Sequence, residues 1–106
     1  MQLKDTQHIC HLEGSVNYTI VHFNNGKKEI MAYTLKKCEA FLSELDNNHF
    51  IRIHKSFLVN KDSIKEIKPR PLNKVVLNSG LELPLARRRN KFTLEDPNNL
   101  LHSKSK

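Results

Sequence analysis

The sequence contains no tryptophan, only two cysteines, and no long apolar run among its 106 residues. Each shortage closes a route. Cys10 and Cys38 form no CxxC pair and give no disulfide framework, so both thiols are expected reduced and buried, and the fold must rest on a packed core. No apolar stretch approaches the ~20 residues of a membrane helix. The N-terminal MQLKDTQHI lacks the apolar segment of a signal peptide. A cytoplasmic protein with no membrane partner is therefore expected. Apolar residues make up 38% and charged residues 27%, the balance of a globular chain, and the length suits one domain.

Acidic residues are scarce in one place only. Residues 1–51 hold five Lys/Arg against six Asp/Glu, and residues 92–106 hold two of each. Residues 52–91 hold eleven Lys/Arg against three Asp/Glu, a local balance of +8. All of the excess in the net charge of +7 therefore lies in one span. Such concentration is the electrostatic footprint of a polyanion partner. A solvated basic face is the plainer reading, and charge alone does not separate DNA from RNA.

The chain reads as short strands around one helix. Residues 8–13 and 17–23 alternate as strands, and Thr19, Val21 and Phe23 share one face of the second. Asn24-Asn25-Gly26 is a hairpin signal, and residues 28–33 return as the partner strand. Between the first two strands lies the loop Glu13-Gly14-Ser15-Val16. Thr34 can cap a helix over residues 34–46, in which Leu35, Cys38, Leu42 and Leu45 recur at helical spacing, with Phe41 beside them. Asp46-Asn47-Asn48 should end it. Further strands are expected at 50–53, 56–59, 63–68, 75–77 and 82–85, with Pro69-Arg70-Pro71 as a loop and Asn78-Ser79-Gly80 as a turn. The register of 63–68 is ambiguous, because Lys65-Glu66 interrupts Ile64 and Ile67. The tail, 96–106, is polar. The fold class is mainly β.

The stretch FIRIHKSFLVN, residues 50–60, breaks the strand rule. Ile51, Ile53, Lys55 and Phe57 share one parity; Phe50, Arg52, His54, Ser56 and Leu58 share the other. Neither set is consistently apolar. One flat strand would bury Lys55 or expose two phenylalanines, so the spacing predicts a bend at His54-Lys55-Ser56 with strands on both sides. That bend offers an imidazole, a cation and a hydroxyl together. A second cluster, Arg87-Arg88-Arg89-Asn90-Lys91, follows Leu83-Pro84-Leu85 and places four positive charges in five residues.

Other chemistries fit less well. His8-Ile9-Cys10-His11 has no common zinc spacing and would need a further ligand from His22, Cys38 or His49. A metal-dependent nuclease wants clustered carboxylates, and the basic span offers only Asp62, Glu66 and Glu82; His54 as a general base would still need an acid. No enzyme, metal or cofactor is expected. RNA binding lacks a stacking motif and tryptophan, and a protein-interaction module with a basic face is the blandest alternative.

Residues 50–60, then Ile64-Lys65-Glu66-Ile67, then Val76-Leu77-Asn78-Ser79-Gly80, then Leu83-Pro84-Leu85-Ala86-Arg87-Arg88 resemble the LytTR DNA-binding domain of bacterial transcription regulators. The resemblance runs from about residue 8 to residue 92, and a domain of 1–95 is assigned on it. It implies an elongated fold of small packed antiparallel sheets with one short helix. It also implies loops that enter successive major grooves of double-stranded DNA, and a role as a regulator or as the output domain of a two-component response regulator. By matched position Asn17, Lys55 and Arg87 would contact bases; Arg52, His54, Ser56, Arg88, Arg89 and Lys91 would contact phosphates or support those loops. Ala86 stands where the family often has serine. A second copy on repeated DNA sites, and a receiver domain or kinase system outside this chain, are implied partners. At 106 residues the chain is expected to have no room for a receiver domain of its own.

Overall fold

A computed structural model describes residues 6–45 and 49–86. Eight strands and one helix form three layers. The strands are β1 (Ile9–Gly14), β2 (Thr19–Phe23), β3 (Lys28–Met31), β4 (Phe50–His54), β5 (Phe57–Asn60), β6 (Ile64–Lys68), β7 (Lys74–Leu77) and β8 (Glu82–Pro84); the helix is α1 (Leu35–Leu45). Five strands make an antiparallel sheet in the order β3-β2-β1-β5-β4, and β6-β7-β8 make a second. The helix packs on one face of the large sheet and the small sheet on the other. Mainly β with one helix is thus the observed class.

Alternation explains the layering, with a bulge between Ile9 and His11 that puts Ile9 and Leu12 on the same face of β1. Ile9, Leu12, Val21 and Leu58 face the helix and form a core with its Leu35, Cys38 and Leu42. Ile51, Ile53 and Val59 face the other way and pack with Val75, Leu77, Leu83 and Leu85 of the small sheet. Adjacent residues of β5, Leu58 and Val59, therefore enter different cores, as the period of two requires.

Local chemistry sets the element ends. Gly26 and Gly80 sit at φ +90° and +95°, where a side chain is strained, and so permit both predicted hairpin turns. The Thr34 hydroxyl accepts the Lys37 N–H at 3.2 Å and caps α1. Leu45 does not join the buried stripe and is 54% exposed, so the apolar face closes one turn earlier than its spacing predicts. The predicted third strand stops at Met31, because the connector to α1 begins there; the Thr19 hydroxyl donates to the Tyr33 carbonyl at 2.8 Å and fixes that connector. The ambiguous register of β6 is a bulge between Ile64 and Glu66. Asp46-Asn47-Asn48 and the tail lie outside the described residues.

Two polar residues in the interior have defined partners. Buried Asn60 donates from its amide to the Ile9 carbonyl at 2.8 Å and accepts the Asp62 N–H at 2.9 Å. His11, 5% exposed, stacks on His22 with ring centroids 4.2 Å apart. His22 in turn contacts the Glu13 carboxylate at 3.1 Å. Burial and the neighbouring His22 hold the pKa of His11 down at about 4, against the opposing pull of Glu13.

Gly14, at the end of β1, lies under α1. A Cβ added there would stand 2.9 Å from Leu35 Cβ, a rigid part of the helix. Gly14→Ala is expected to destabilise the protein by ~1–3 kcal/mol, the usual cost of overpacking, read from urea denaturation. His11 gives a pH prediction. The unfolded chain takes up its proton near 6.5, the folded chain only near 4. Stability should therefore be full above the higher value and fall as pH drops through the window. Denaturation midpoints measured across that window should fall less steeply for His11→Gln than for wild type.

Candidate nucleic-acid interface

The predicted bend in residues 50–60 is a tight hairpin. His54 pairs with Phe57, leaving Lys55 and Ser56 as a two-residue turn. The register slips between Arg52 and His54, so Ile53 is the extra residue of a bulge. The slip resolves the parity conflict: Ile51 and Ile53 are buried in the second core, while Lys55 stands exposed at the tip.

Arg52 holds this turn. Its Nε donates to the His54 carbonyl at 2.9 Å, one terminal nitrogen donates to the Lys55 carbonyl at 2.7 Å, and the other meets the Glu39 carboxylate of α1 at 2.6 Å. The fork shape of the guanidinium allows all three at once. The Ser56 N–H donates to His54 Nδ1 at 3.1 Å, so that nitrogen carries the lone pair and the ring stiffens the turn from within. Arg52 and His54 are thus placed as supports of the turn, and Lys55 points outward.

Backbone bonds join this turn to two other predicted segments. The Ser56 carbonyl accepts the Gly14 N–H at 2.8 Å, which draws the β1–β2 loop alongside. That loop is closed by Ser15 N–H to the Tyr18 carbonyl at 2.8 Å, and leaves Val16 and Asn17 exposed. On the other side, the Ile53 carbonyl accepts the Ala86 N–H at 2.8 Å. The bulge supplies that acceptor. Arg87, Arg88, Arg89 and Lys91 lie outside the described residues, but the chain enters them from Ala86 beside the Lys55 turn.

One end of the molecule therefore gathers the Asn17 loop, the Lys55 turn and the root of the basic segment. Lys36 and Lys37, exposed at the start of α1, belong to the same end, because Gly14 touches Leu35. Among the described residues there, Glu39 is paired with Arg52, and Glu13 lies 3.1 Å from the His22 ring. Cations thus dominate the surface there, and the field they make suits a phosphate chain. Sequence reading missed Glu39, whose only signal was a lone carboxylate on a half-buried helix position, and it missed the order in which the loops converge.

The His/Cys-rich start of the chain does something else. His8 sits in a short 3-10 turn, Thr6–His8, ahead of β1, and His11 stacks within the sheet. Among the described residues no group of three or more His, Cys, Asp or Glu is placed to hold a metal ion. Cys38 is buried and Cys10 half-buried; burial raises the pKa of both thiols. No helix among the described residues is long and apolar enough to cross a membrane.

Comparison with known proteins follows the same line. The family model of the LytTr DNA-binding domain matches residues 1–93. Among solved structures, a LytTr DNA-binding domain from a Bacillus cereus protein described as a methyl-accepting/DNA response regulator superposes with a TM-score of 0.72. It shares 22% identity and covers 90% of this chain and 91% of its own. No curated protein sequence matches this chain significantly.

The brace at the turn is testable by itself. Arg52→Ala removes three charged hydrogen bonds and leaves the Glu39 carboxylate unpaired, and should destabilise the fold by ~1–3 kcal/mol. Arg52→Lys should recover little of that, because an ammonium cannot span both turn carbonyls and the carboxylate. Thermal unfolding of the two variants checks this; full rescue by lysine would show that charge alone matters.

Proposed function

The chain belongs to the LytTR family of DNA-binding domains, and from that premise we propose that its loop end reads double-stranded DNA sequence-specifically. DNA binding and transcription regulation come with the family. The finer reading is that Asn17, Lys55 and Arg87 meet base edges while Ser56, Arg88, Arg89 and Lys91 meet phosphates. Arg52 and His54 shape the turn that presents Lys55.

The observation that carries this reading is the pair of bonds from Gly14 to Ser56 and from Ala86 to Ile53. They bring the loop that holds Asn17, the turn that holds Lys55 and the chain at Ala86, just before Arg87 in sequence, to one end of the molecule. Chemistry supports the assignment: an asparagine amide can pair with adenine, and lysine or arginine can donate to guanine N7 and O6. The surrounding cations would displace counterions from the phosphate chain and supply much of the affinity. The role is binding, with no catalytic step, in the cytoplasm. Output from a response regulator, with the receiver elsewhere, is the cellular setting we propose.

Titrations on a duplex selected by the protein and on a scrambled duplex test the division of labour. Arg87→Ala should remove ~1–3 kcal/mol of discrimination between the two. Lys91→Ala should weaken both alike and reduce the salt dependence. Equal losses on both duplexes for Arg87→Ala would sink its base-reading role, and preference for single-stranded RNA over duplex would overturn the reading as a whole.

A further inference from the structure

Residues 69–73 join β6 to β7 at the same end of the molecule, although neither the motif nor the site described above includes them. The pairings of Lys68 with Lys74 and of Lys74 with Pro84 close the small sheet there. The Asn73 carbonyl then accepts the Leu85 N–H at 2.9 Å, and the next residue, Ala86, is bonded to Ile53 at 2.8 Å. A continuous series of backbone contacts thus runs from the Asn17 loop through the Lys55 turn and Ala86 to this loop. It lies on the flank away from Asn17.

Its shape is fixed. The Leu72 and Asn73 N–H groups both donate to the Pro69 carbonyl, at 3.0 and 3.1 Å. Pro69 and Pro71 restrict φ on either side of Arg70. Arg70, Leu72 and Lys74 are exposed. Lys68 lies 3.8 Å from the Glu82 carboxylate, but neither Arg70 nor Lys74 has an acidic partner among the described residues. A tight loop thus presents two unpaired cations beside the root of a segment with four more.

We propose that the β6–β7 loop is an additional phosphate-contacting arm, with Arg70 at its tip and Lys74 at its base, that lengthens the DNA footprint on that flank. The inference rests on the reading of the loop end as a surface for duplex DNA. A regularly charged polymer is the partner chosen, because it can neutralise this arm and the neighbouring cations together. The guanidinium can grip one phosphate with two donors, while Lys74 offers a point charge to the next. Because the loop backbone is braced by the bonds to the Pro69 carbonyl, the entropy lost on contact is mainly that of the two side chains.

The test uses the full chain and a fluorescein-labelled duplex of about 30 base pairs, roughly 100 Å long, selected from a random pool by the wild-type protein. Anisotropy titrations over a range of salt give the slope of log affinity against log salt. Arg70→Ala and Lys74→Ala should each lower that slope by about 0.9 and weaken binding about three- to tenfold at low salt, equally on selected and scrambled duplexes. Arg70→Lys should keep the slope. Lys27→Ala, in the turn at the far end, should change nothing. Trimming the duplex on one flank should make wild type and Arg70→Ala indistinguishable. Unchanged slopes for both loop variants, with wild type binding normally, would overturn the arm while leaving the DNA reading intact. A wild-type protein that binds no duplex would instead overturn that reading, and the arm with it.

Discussion

The structure turns on the place where Gly14 leaves β1. Its N–H closes on the Ser56 carbonyl, and its missing side chain admits Leu35 to within van der Waals reach. Helix, loop and hairpin turn meet at this one residue. The bond is an ordinary amide hydrogen bond, modest in net energy. Its importance is positional. It sets how far the Asn17 loop stands from Lys55, while the Glu39–Arg52 pair ties the helix to the same turn. The position of the candidate site thus follows from how the layers dock.

Arg52 shows why charge on a sequence needs a structure before it is assigned a duty. Read along the chain, it belongs to the basic span that begins at residue 52. In the fold its donors turn inward, to two carbonyls and a carboxylate, and the side chain is only 15% exposed. The cation is used to hold a turn of two residues that has no glycine. Lys55 is the opposite case: adjacent in motif, exposed, and left to the solvent. Two positive residues three positions apart thus have different fates, decided by carbonyl groups that a sequence does not display.

What the sequence disclosed depended on periodicity. The broken parity of residues 50–60 marked the hairpin correctly, because a period of two leaves no other repair. Thr34 marked the start of α1, and the Asn-Gly and Ser-Gly turns marked two hairpins. Leu45 was misread because helical spacing carries no information on where the facing sheet ends. His11 gave no signal: an alternating strand shows that a histidine faces one way, never whether that side is covered. The convergence of three loops was likewise invisible, since it follows from strand order across the sheet and from a bulge carbonyl at Ile53. The family resemblance named candidate residues; the topology explains how the Asn17 loop, the Lys55 turn and Ala86 come to be neighbours.

The neighbouring residues Leu58 and Val59 have a last consequence. Because they serve opposite cores, β5 is a wall common to both rooms of the interior. Loss of either core strips one face of that wall, so the two cores are coupled through β5. A change in one core is therefore expected to be felt in the other, in keeping with the cooperative unfolding of small single domains.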